Sequence, residues 1–182
     1  MSLKLGIIIA TLLFFASLIV GIIAPPVVTA LFAEDLAALQ RLGAMLKPFE
    51  VNTMIFIFLR NTFALLFSFL LSPLLCVVPV ISLLVNGWVI GYVSTMVVGE
   101  KSIAFVLLGL LPHGIFEIPA FILGQAAAII MGILVMLAVF SKQKRSLLLP
   151  GLKKNARYLL IALALLVPAA IMETYVTPLL LS

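Results

Sequence analysis

Between Val51 and Val98 the chain carries one charged residue, Arg60. A run of that length with a single charge cannot supply the wetted surface of a globule. The hydrocarbon core of a bilayer accepts a helix of about 20 predominantly apolar residues, so the run holds two crossings. The break between them falls at Leu71-Ser72-Pro73, because the residue before a proline is steered away from helix. This predicts a helical hairpin of 51–71 and 73–98, with Pro79 kinking its second arm. The rest of the chain has the same character: 65% of residues are hydrophobic and 9% charged, where a soluble domain has about a quarter charged. The expected fold is all-α, a polytopic transmembrane helical bundle forming a single transmembrane domain over 1–182, multi-pass in the cell membrane with the lipid bilayer as its first partner.

Three further spans are legible. Residues 5–24 form the first; the stretch is too long for a signal-peptide core, and Ala24-Pro25-Pro26 makes a poor cleavage site, so a retained helix ended by the two prolines is expected. Residues 115–140 and 158–176 form the last two. Between the first span and the hairpin, 31–49 mixes Glu34, Asp35, Arg41 and Lys47 with leucines, the pattern of an amphipathic helix lying at the interface. After the polar turn Gly99-Glu100-Lys101 comes an apolar piece, 102–111, only half a span long at about 1.5 Å per residue. It ends at Pro112-His113-Gly114.

Charge decides how that half-length piece is counted. Six of the eleven basic residues, Lys142, Lys144, Arg145, Lys153, Lys154 and Arg157, fall in 141–157. Lys and Arg accumulate on the cytoplasmic flanks of spans, so this loop is read as cytoplasmic, and Lys4 places the N-terminus on the same side. An even number of crossings then separates them. Five full spans plus a re-entrant half-helix over 102–111 satisfy that parity; six spans with the N-terminus outside are the alternative. Non-helical backbone at membrane depth must be shielded from lipid, which would put the Pro-His-Gly break near the middle of the bundle. The basic segment lacks the aromatic platforms of a nucleic-acid groove, so no nucleic acid is expected as a partner. The single cysteine, Cys76, excludes an internal disulfide.

Ionisable and amide side chains inside spans are expensive, which makes Glu50, Asn52, Arg60, Asn61, Asn86, His113, Glu117, Gln125 and Glu173 the residues to explain. His113 and Glu117 stand four apart, on one helix face if the helix includes both. With Pro119 in the first turn the helix begins near Ile115 and His113 lies in the break itself; either way the imidazole and the carboxylate are within reach of each other. They read either as a site (metal ligands, a proton relay or an acid/base pair) or as a hydrogen-bonded clamp. With Glu173 they make a one-histidine, two-carboxylate set that suits a divalent zinc, manganese or iron ion; the plainer reading leaves Glu173 water-exposed near the outer interface. Arg60 next to Asn61 calls for a carboxylate partner in Glu117 or Glu173. In Asn86-Gly87-x-x-x-Gly91 the glycines allow close helix approach, and the asparagine amide can bond across the contact. Gly109, Gly114, Gly124 and Gly132 read as packing positions, and Pro112 and Gly114 frame the break.

No His-Glu-x-x-His, Gly-x-Ser-x-Gly or phosphate-loop pattern occurs. Taken together, Arg60-Asn61, Asn86-Gly87-x-x-x-Gly91, Leu111-Pro112-His113-Gly114-Ile115-Phe116-Glu117-Ile118-Pro119-Ala120 and Met172-Glu173-Thr174-Tyr175 resemble the stage II sporulation protein M family over nearly the whole chain. Pro-His-Gly-x-x-Glu-x-x-Ala is the most specific element. The match departs at Arg60, where a second asparagine is the family pattern. The resemblance implies a membrane fold of about five helices and, in spore formers, a scaffold that holds peptidoglycan-remodelling partners. It assigns no catalytic activity.

Three functions fit these residues. The first is a helical scaffold, a homodimer that gathers membrane or cell-envelope proteins around a buried polar centre. The second is a small-solute or ion transporter or channel built around the break. The third is a metal-dependent membrane enzyme using His113, Glu117 and Glu173.

Overall fold

The structure is a computed structural model and describes residues 1–23, 34, 37–38, 41–42 and 45–181. The expected interfacial helix at 31–49 and the Pro25-Pro26 helix end fall mostly or wholly outside the described residues. The elements are α1 (Leu3–Ile22), α2 (Val51–Leu71), α3 (Val77–Glu100), α4 (Ile103–Phe140), the short α5 (Lys142–Arg145), α6 (Leu148–Ile171), a π-helical turn (Met172–Val176) and α7 (Thr177–Leu181). No strand occurs among the described residues. Five helical stretches are long and apolar enough to cross a membrane: α1, α2, α3, α4 and the run Leu148–Leu181.

α4 is the axis of the bundle. Its most apolar window is 61% buried, against 22–33% for the other four stretches. One face packs Ala120, Ala127, Ala128 and Met131 against Leu65 and Phe69 of α2 and Leu159, Ala162 and Leu166 of α6. The other packs Ile122, Ala126 and Ile129 against Ala10 and Phe14 of α1 and Leu83 of α3. Alanines dominate the centre because in lipid, where no hydrophobic drive brings helices together, small side chains let backbones approach.

The expected break at Pro112-His113-Gly114 is absent. α4 runs unbroken through Pro112 and Pro119, starting at Ser102, whose side chain accepts a hydrogen bond from the Phe105 amide at 3.1 Å. Residues 102–111 are therefore its first turns and not a separate re-entrant half-helix. The physical reason lies in the solvent. Each proline removes one donor, but unwinding the helix would strand several amides and carbonyls where no water can satisfy them. At about 1.5 Å per residue the helix is longer than the hydrocarbon layer, so its ends reach the interfaces. The five crossings, and the parity that relates them, stand without the half-helix.

The hairpin turn falls at 72–76, with Leu75 and Cys76 at φ of 53° and 57°. α3 begins at Val77, so Pro79 sits in its first turn, where its missing N–H has no helical acceptor to lose. The expected kink there is not needed. Two of its glycines meet α1 directly: a Cβ on Gly87 would strike the Phe14 carbonyl and the Ser17 hydroxyl, and one on Gly91 the Leu18 carbonyl. Successive contacts (Phe14 with Gly87, Leu18 with Gly91, Ile22 with Thr95) rise together along both helices, so α1 and α3 run parallel.

The basic segment is more helical than expected. Lys142, Lys144 and Arg145 form α5, and Lys153, Lys154 and Arg157 lie on the first turns of α6. Met1 and Leu3 share a groove with Leu147, Pro150 and Lys154, which puts the N-terminus and the cations at one end of the bundle.

Candidate functional site

The polar side chains of four elements converge in the half of the bundle away from the basic end. On α4, His113 and Glu117 occupy successive turns, with His113 Nε2 3.9 Å from Glu117 Oε2 and side chains 14% and 32% exposed. Asn61, from α2, donates through Nδ2 to Glu117 Oε1 at 3.2 Å. Thr177, at the start of α7, places its hydroxyl 3.4 Å from His113 Nδ1. The π-helical turn carries Glu173. One ligand atom each from His113, Glu117 and Glu173 lie within 4.8 Å of one another.

Local sequence explains the placement. A π turn adds one residue to a helical turn and re-aims the side chains around it, and such turns are frequent at functional sites. Here it follows Pro168 in α6 and is tied to the start of α2 by the Phe49 amide, which donates to the Thr174 carbonyl at 3.1 Å. The half-buried Glu173 is thereby carried to the α4 face that holds His113 and Glu117.

A cavity of about 60 Å³ adjoins the cluster, lined by Asn61, Asn86, His113, Gly114 and Glu117 and floored by Phe14, Leu65, Phe121 and Leu166. That volume suffices for a water or two, given that one needs roughly 10–15 Å³ of such space and two to four polar partners. Ala64 and Asn86, near the middle of their helices, line it and are exposed. The cavity thus opens on the flank of the bundle.

Several expectations change in detail. Arg60 forms no ion pair with either glutamate: among the described residues Lys47–Glu50 is an ion pair, and His113–Glu117 is a contact that becomes one only when the imidazole is protonated. Arg60 is exposed and acts on Glu117 and Glu173 only through space, while its neighbour Asn61 makes the contact. The Asn86 amide does not cross to another helix; it donates to the Ser82 carbonyl of its own helix at 2.8 Å. Gly87 and Gly91 belong to the α1 contact behind the site. Gly124 and Gly132 are packed tightly, against Leu65 and the 72–76 turn respectively, whereas a Cβ on Gly109 or Gly114 would make only ordinary contact, with nearest side-chain atoms at 3.9 and 3.7 Å. Pro112 is buried within the continuous helix. Glu50 occupies the residue before α2 without a side-chain capping bond and pairs with Lys47 at 3.7 Å. Asn52 is exposed on the first turn of α2.

Gln125 forms a second polar junction nearer the basic end. Fully buried, it donates through Nε2 to Ser68 of α2 at 3.2 Å and to Ser82 of α3 at 2.9 Å. Sequence reasoning flagged Gln125 but missed both serines and Thr177, since hydroxyls in apolar helices commonly bond their own backbone and carry no spacing signal.

Fold and composition together define a helical membrane protein with five apolar helical stretches long enough to cross a bilayer. The chain belongs to the stage II sporulation protein M family, whose profile matches residues 5–178. It is also 30% identical over 99 residues to an uncharacterized protein of Methanocaldococcus jannaschii, a match covering 54% of this chain and 56% of that protein. The chain thus aligns with about half the length of that relative. No solved structure matches.

Proposed function

We propose that this family member is a scaffold of the cell membrane that self-associates as a homodimer and gathers membrane or envelope proteins, with the basic end cytoplasmic. The observation that carries the reading is the exposure of Asn86 and Arg60 on the outside of the bundle, well within their spans. A charge at the bilayer centre costs about 2.5–3.5 kcal/mol on insertion scales, and an amide facing lipid leaves hydrogen bonds unmade. Helices of a second copy covering this flank would give both groups polar neighbours, and interhelical bonds of this type are a common adhesive in membranes. The orientation rests on the clustering of Lys and Arg at one end.

Conduction is less well supported. Toward the basic end the cavity stops at Leu65 and Phe121, and beyond them α4 is packed with fully buried Gln125, Ala126, Ala127 and Ala128. The metal-dependent enzyme reading has the ligand set in its favour, but the cavity beside it measures only about 60 Å³.

The test is the oligomeric state in lipid nanodiscs of the wild type and of Asn86→Leu. If Asn86 faces a second copy, the wild type is dimeric and the variant shifts to monomer. If it faces lipid, the substitution removes a polar group from hydrocarbon, leaves the oligomeric state unchanged and raises stability. The latter result would sink the proposal.

A further inference from the structure

The polar cluster brings two carboxylates and an imidazole together with no cationic side chain in contact among the described residues. Glu173 makes no hydrogen bond or ion pair with another described residue, yet its carboxylate approaches both Glu117 and His113. Two carboxylates at that separation inside a bundle repel strongly, and Arg60 acts on them without contact. Either a proton held on one carboxyl or a bound cation between them relieves that repulsion, and the donor geometry favours the cation.

The surrounding hydrogen bonds point the donor atoms toward that position. Asn61 holds Glu117 Oε1, leaving Oε2 turned to the histidine. In the tautomer whose Nδ1–H donates to the Thr177 hydroxyl, His113 keeps a lone pair on Nε2, the atom facing Glu117. A histidine anchored through one nitrogen and free at the other is the usual outer-shell arrangement of a metal ligand. The 3.9 Å gap between Nε2 and Oε2 exceeds a hydrogen bond. Around a tetrahedral ion with bonds of about 2.0–2.2 Å, ligand atoms stand roughly 3.4 Å apart, so modest inward rotation of the carboxylates closes the set. The adjoining cavity has room for water to fill the remaining coordination positions.

We infer that His113, Glu117 and Glu173 bind a single divalent transition-metal ion, of the zinc, manganese and iron class. One imidazole with two carboxylates suits these ions, whereas a site for calcium or magnesium is built from oxygen alone. The ion would fasten α4 to the C-terminal helical run, a role that goes beyond scaffolding and does not depend on it.

Purified full-length protein, stripped with chelator and dialysed against zinc chloride or manganese chloride, tests the inference by metal analysis and by thermal unfolding in detergent. One ion retained per chain is expected, with a higher unfolding temperature on adding it. Glu173→Gln, nearly isosteric, should abolish retention, and the exposed control Glu100→Gln should not. Thr177→Val removes only the anchor of the histidine and should weaken binding roughly ten- to hundredfold. If His113→Ala fails to fold, the Glu173→Gln and Thr177→Val comparisons decide. Wild-type protein that retains no ion, or retention unchanged in Glu173→Gln, overturns the assignment.

Discussion

Glu117 is held from two directions: its Oε1 accepts a hydrogen bond from Asn61 of α2, while its Oε2 faces His113 one turn earlier on its own helix. Asn61 is thus the link between the α2 hairpin arm and the ionisable centre. Replacing it with leucine deprives a carboxylate of its donor, and hydrogen bonds to charged groups contribute about 1.5–3 kcal/mol. Asn61→Leu should lower stability by that order in a detergent unfolding assay, and Asn61→Gln should recover less than the whole loss.

The glycines divide into two groups that behave oppositely. Gly91→Ala drives a methyl into the Leu18 carbonyl, a backbone atom that yields only if α1 and α3 separate, so a loss of about 1–3 kcal/mol is expected. Gly109→Ala meets nothing closer than 3.9 Å and should stabilise by roughly 0.5–1 kcal/mol, the helix-interior preference for alanine. Thermal unfolding of the two variants side by side checks the sign of each.

Pro119 is exposed inside α4. Since the helix continues through it, Pro119→Ala restores a backbone donor without emptying a packed site. It should stabilise the protein by about 1 kcal/mol or more, against the roughly 3 kcal/mol an interior proline costs an ideal helix. A chain that truly broke near Pro112 would gain nothing.

Gln125 is neutral, fully buried and bonded to two serines. Gln125→Met keeps its shape and should cost about 1–3 kcal/mol, two ordinary hydrogen bonds at about 0.5–1.5 kcal/mol each. Gln125→Glu puts an ionisable group among alanines and should destabilise by about 2.5 kcal/mol or more. Expression level and unfolding midpoint in detergent distinguish the two.

The five spans were readable because lipid imposes a length and a polarity on each one, and hydropathy reports both. His113, Glu117 and Glu173 were readable as a set because ionisable residues in apolar helices are too costly to be incidental. The continuity of α4 was not readable: Pro-His-Gly signals a break in water, and in hydrocarbon the unpaired backbone of a break outweighs the proline's missing bond. Nor could spacing reveal that Asn61, not Arg60, reaches Glu117. Adjacent residues differ by about 100° around a helix, and only the packing of α2 on α4 decides which faces inward. The π turn that presents Glu173 likewise has no sequence marker beyond the nearby prolines.

The first half of α4 is docked against the C-terminal helical run, so that His113 lies beside Thr177. Oxidative cross-linking of a His113→Cys, Thr177→Cys double variant in native membranes, with Cys76 replaced by serine, measures that contact directly. Rapid formation of an intramolecular disulfide, blocking both thiols from maleimide, is the expected result. Two freely labelled thiols after oxidation, in this pair and in the neighbouring Gly109→Cys, Leu181→Cys pair, would contradict it.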